Sequence, residues 1–187
     1  MTRLSLVAEL FAAVLLPRGA AAQRSGAQWV LEGTFGLSAG SGGGVRRERD
    51  GTALDGLLMS RPRSRRGMAH LVLAFGGGLE GPSDPETCLA LPGSGCVPDF
   101  PRIYSFGLFV GAEHSGRFGD VRLLAGPTHY RVDGGGSSLG GQARFEVATP
   151  SLFDHVALVA SARGGLVSNL DRQTFRLGAI GVGLAVH

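Results

Sequence analysis

The 187 residues are 43% hydrophobic and 18% charged, with 32 glycines that follow no collagen-like period; the chain is too apolar for disorder and too short for two comfortable domains. All 18 basic residues are arginine, scattered and offset by 15 acids to a formal net charge of +3, which leaves no basic stripe for gripping nucleic acid.

The first segment combines Arg3, the apolar "LFAAVLL" (Leu10 to Leu16) and the small-residue "RGAAAQ" (Arg18 to Gln23). It predicts a helical signal peptide over residues 1–22, cleaved after Ala22; a buried N-terminal helix is the alternative. Nowhere else is there an apolar run of about 18 residues, so no helix is expected to span a membrane. Residues 23–187 are then a single exported domain.

That domain alternates with period two in eight segments. "WVLEGTFGLSAG" sets Trp29, Leu31, Phe35 and Leu37 on one face against Val30, Glu32, Thr34 and Ser38. The second, "TALDGLLMS" (Thr52 to Ser60), is the weakest; the third, "MAHLVLAFGGGL", sets Leu71, Leu73 and Phe75 against His70, Val72 and Ala74. Before the fourth, Cys88 and Cys96 bracket "LALPGSG" in a proline- and glycine-rich loop. In an exported chain two cysteines in one loop predict a disulfide that pins the loop, because a metal site would need two further ligands at zinc spacing.

The fourth, "RIYSFGLFVGAE", opposes Tyr104, Phe106, Leu108 and Val110 to Ser105, Gly107, Phe109 and Glu113. In the fifth, "FGDVRLLAGPTHY", Val121, Leu123 and Ala125 alternate with Asp120, Arg122 and Leu124, and Pro127 predicts a bulge or a strand end. The sixth, "SLGGQARFEVAT", is the clearest, with Leu139, Ala143, Phe145 and Val147 against Gln142, Arg144 and Glu146. The seventh, "HVALVASARGGL", opposes Val156, Leu158 and Ala160 to Ala157, Val159 and Arg163, and the eighth is "FRLGAIGVGLAVH".

Strands of roughly ten residues are long enough to cross a hydrocarbon layer at a tilt. The expected fold is therefore all-β: an eight-stranded antiparallel up-and-down transmembrane β-barrel. Alternation alone leaves open which face is which. The export signal, the few charges and the nearly apolar last segment favour large residues outward, toward lipid. Glu32, Glu113, Arg122, Arg144, Glu146, Arg163 and Arg176 then line a narrow lumen, where they must pair with one another or with trapped water. Phe175 and Leu177 fall on the opposite parity to Ile180, which calls for a bulge near Gly178 or Ala179 to keep them outward. Odd-numbered connections should be the long outward ones, namely "SGGGVRRERDG", the stretch from Gly81 to Pro101 and "RVDGGGSS"; "HSGR" reads as a tight turn, and "RPRSRRG" (Arg61 to Gly67) is long for an inner one.

With these features the mature chain resembles the small eight-stranded outer-membrane β-barrel proteins of Gram-negative bacteria, of the OmpA transmembrane-domain and OmpX type, in architecture and over about residues 28–187. The resemblance implies residence in the cell outer membrane among its lipids. It also implies that the last strand serves as the signal for the barrel-assembly machinery. Ile180, Val182, Leu184 and Val186 match its alternation, with His187 where the family commonly has phenylalanine.

Nucleophilic catalysis needs a base within reach of the nucleophile. "EHSGR" places His114 beside Ser115, but adjacent strand residues point to opposite faces. His70, His129 and His155 share no ligand spacing, so neither a metal nor a cofactor is expected. The reading is a structural or surface-interaction barrel of the outer membrane, meeting an extracellular ligand through its loops and lacking a catalytic constellation. One alternative is a soluble barrel, periplasmic or secreted, that binds a small apolar ligand with Leu108, Phe145 and Leu158 inside. Another is an outer-membrane hydrolase acting on lipid through His114 and Ser115.

Overall fold

Each alternating segment has two unlike faces, and closing such strands into a ring buries one face while removing both sheet edges. A computed structural model describes residues 27–42, 45–62, 69–82, 88–91, 94–98, 102–133, 136–152, 155–170 and 173–187; the expected signal peptide lies outside them. The strands are β1 (Ala27–Gly42), β2 (Val45–Pro62), β3 (Ala69–Pro82), β4 (Cys88–Leu91), β5 (Ser94–Pro98), β6 (Ile103–Gly116), β7 (Gly119–Val132), β8 (Ser137–Ala148), β9 (Val156–Leu170) and β10 (Gln173–Val186).

Eight of them close into an antiparallel up-and-down barrel. Neighbours in the chain are neighbours in the wall, and β10 seals against β1 from Leu31 opposite Val186 to Gly42 opposite Phe175. The other two, β4 and β5, form a separate hairpin in the connection between β3 and β6. Cys88 and Cys96 lie on these two paired strands, with Cys88 opposite Pro98 and Leu89 opposite Val97.

The wall departs from the sequence reading in three places. β2 is the longest strand, because "VRRERD" continues it and Gly42 pairs with Val45; a backbone ladder needs no apolar alternation, which is the signal that was read. Pro127 neither bulges nor ends β7. It faces outward, opposite Gly141, and the ladder to β6 merely lapses between Gly107 and Val110, where proline has no N–H to give. In β10 no bulge occurs near Gly178 or Ala179, since the register with β1 runs unbroken from Phe175 to Val186.

Strict parity therefore sends Phe175 and Leu177 inward. There they join Ile103, Tyr130, Val132 and Val167 in an apolar cluster that fills the end of the lumen away from the termini. A second cluster, including Val30, Met59, Phe109 and Leu124, packs the rest of the interior.

The β6–β7 hairpin turns in two residues, Arg117 and Phe118, between paired Gly116 and Gly119. Gly119 has φ +130°, and a Cβ there would collide with the carbonyl of Ala148 on β8. Gly119→Ala is expected to cost about 1–3 kcal/mol in unfolding free energy, the range for a non-glycine residue in such a conformation; equilibrium urea unfolding measures it.

Candidate functional site, an ion-paired ladder in the lumen

The inner face of the wall carries a set of charged side chains. Glu32, Glu113, Arg122, Arg144, Glu146 and Arg163 are all buried there. Arg176 is not: it is exposed on the outer face, in phase with Ile180, because β10 holds its parity without a bulge. Near the end of a strand its long side chain can reach a polar boundary at little cost.

Four residues missed by sequence reading complete the set: Asp55, Arg61, Glu80 and Asp120. Parity could have found all four. Asp120 shares the face of Arg122, Glu80 continues the inner series of Val72 and Ala74, and Arg61 continues that of Met59. Asp55 lies on the same inner series as Met59 and Arg61, within the weakest alternating segment.

The ten side chains form one connected network of four guanidiniums and six carboxylates. At the end near the termini, Arg61 Nη1 lies 2.8 Å from both Asp120 and Glu113. Arg122 reaches Glu113 through Nε at 2.6 Å and crosses the whole lumen from β7 to Glu32 on β1, at 2.8 Å from Nη1; Glu146 lies 3.5 Å from the same nitrogen. Arg144 is 3.1 Å from Glu146 and 3.9 Å from Asp55 on the opposite wall, with its guanidinium 5.8 Å from the Phe109 ring centre. Arg163 sits 3.0 Å from Asp55 and 2.9 Å from Glu80, close as charges although not aligned as hydrogen bonds.

Three rungs thus cross the interior between opposite strands: Arg122 to Glu32, Arg144 to Asp55 and Arg163 to Glu80. Buried ions are costly to desolvate, and each guanidinium offsets that cost only while its acids surround it. The arrangement spans the lumen from wall to wall with paired charges.

The candidate catalytic pair is not assembled. His114 is exposed on the outer face, whereas the Ser115 hydroxyl is buried inside, 3.5 Å from Glu113. At the barrel end, the His187 ring meets Ser151 at 2.8 Å, and the His187 backbone N–H donates to the His155 carbonyl at 3.0 Å. Partial burial, then the nearby Arg61 charge, lowers the His187 pKa from its ordinary value.

The outer face is the inverse of a soluble barrel's. Trp29, Phe35, Leu71, Leu108, Leu123, Phe145, Leu158 and Val182 are all exposed, with strand after strand contributing to the band. A contiguous apolar surface of this extent is not left to water. Among solved structures, Neisserial surface protein A superposes with a TM-score of 0.66 at 15% identity, covering 87% of this chain and 99% of its own. The fold is that of the small eight-stranded outer-membrane β-barrels. Ail, the attachment invasion locus protein of Yersinia pestis, shares this barrel with a TM-score of 0.52 at 12% identity, covering 86% of this chain and 98% of its own. No protein-family profile and no curated protein matches the sequence.

Proposed function

We propose that the chain is an outer-membrane barrel with a structural or surface-interaction role, its braced wall presenting the connections at the β4–β5 end to an extracellular ligand. The observation that carries this reading is the inversion of faces: large apolar side chains outward, ten charges paired inward. Leu108, Phe145 and Leu158, which a soluble ligand-binding barrel would need inside, are exposed. The two similar barrels are a surface protein and an attachment invasion locus protein, which supports the surface role. On this reading the outward residues Ile180, Val182, Leu184 and Val186 present the signal to the barrel-assembly machinery, and a disulfide between Cys88 and Cys96 pins the hairpin.

Membrane fractionation followed by gels of heated and unheated protein tests the proposal. The expected result is recovery in the outer-membrane fraction with a mobility that changes on heating; a soluble periplasmic protein with one mobility would sink it. In planar bilayers the purified barrel is expected to give no porin-like conductance steps, because guanidinium rungs and an apolar cluster fill the lumen and wide channels need about sixteen strands.

A further inference from the structure

Four outward positions on adjacent strands form one row in register. Ala39 on β1 pairs with Gly178 on β10, Gly178 with Gly164 on β9, and Gly164 with Ala143 on β8. None carries more than a methyl group, so the wall dips there into a groove of about 770 Å³, within the usual range of roughly 300–1,000 Å³ for ligand sites. Leu37, Ile180, Phe145 and Leu123 stand along the side nearer the termini.

Barrel closure does not require the two glycines. A Cβ at Gly164 or Gly178 would meet no atom nearer than 3.8 Å, whereas one at Gly36, Gly111 or Gly183 would collide with a neighbouring backbone. A larger side chain at Gly164 would simply fill the groove.

Arg176 stands on the same outward face of β10, next in phase to Gly178, and has no ion-pair partner among the described residues. Positions 177–186 supply the roughly ten residues that carry a tilted strand across hydrocarbon. The guanidinium is thereby set at the headgroup boundary, with the groove directly on its membrane side.

Building on the outer-membrane reading, we propose that Arg176 and this groove form a site for a phosphate-bearing lipid of the surrounding bilayer. The phosphate pairs with the guanidinium, and one acyl chain lies along Gly178, Gly164 and Ala143. Charge complementarity selects this occupant. A second copy docked on the same patch would bring arginine toward arginine and groove toward groove.

The test reconstitutes the purified barrel in phosphatidylcholine nanodiscs containing a minority of phosphatidic acid, then reads the lipids retained in mild detergent by native mass spectrometry. The wild-type barrel should retain phosphatidic acid in preference to phosphatidylcholine. Arg176→Gln should lower that preference about fivefold, the effect of one arginine near an anionic membrane surface, and Gly164→Leu should remove the retained lipid with Arg176 in place. Heat-dependent gel mobility is measured on each protein. Its loss in the wild type overturns the outer-membrane reading itself. Folded barrels that retain both lipids equally, that bind lipid as before after Gly164→Leu, or that form a dimer dissolved by Gly164→Leu, overturn the lipid site alone.

Discussion

Replacing Arg122 with methionine is expected to destabilise the folded barrel by about 3–5 kcal/mol, the cost of removing one partner from a buried ion network. The measurement is urea unfolding from lipid vesicles, followed by the fluorescence of Trp29, the one tryptophan of the chain. The loss concentrates on Glu32. Glu113 keeps Arg61 at 2.8 Å and Glu146 keeps Arg144 at 3.1 Å, but Glu32 is buried and among the described residues pairs only with Arg122. Adding Glu32→Gln should therefore recover part of the loss, because a neutral amide does not need the guanidinium. An Arg122→Met barrel as stable as the parent would refute the view that the rungs brace the ring.

Introducing a charge on the opposite face should separate a membrane wall from a soluble one. Val182 lies near the middle of β10, 69% exposed, between Phe35 on β1 and Ala160 on β9. Val182→Arg is expected to cost about 2–4 kcal/mol when folding is measured in a bilayer, as for arginine at mid-depth on a barrel's lipid face. Thr174→Arg, also outward but at the start of β10, should cost about 0–1 kcal/mol. Equal and negligible effects at both positions would mean that the outer face meets water.

Much of the wall was legible in the sequence because period-two alternation is a local property of a strand. Leu139 to Val147 on β8 and Tyr104 to Val110 on β6 expose their large residues in the phase that their spelling suggests. Where the polar or glycine-rich ends lack that pattern, the reading fell short, and β2 begins at Val45 instead of near Thr52. The expected bulge in β10 came from assuming that every large residue faces lipid. The apolar cluster at the far end of the lumen gives Phe175 and Leu177 an interior place, and the bulge is unnecessary.

The lumen charges divide along the same line. Arg144 and Glu146 are two residues apart on one strand, so parity alone puts them on one face. Glu32 and Arg122 are 90 residues apart and meet only because β1 and β7 stand across the ring from each other. The two unlike faces of the wall were already written in the residues, since they follow from local alternation. Only the tertiary structure decided which guanidinium crosses to which carboxylate, and that Arg176 turns outward beside the groove, because those outcomes depend on the register of eight strands closed into one ring.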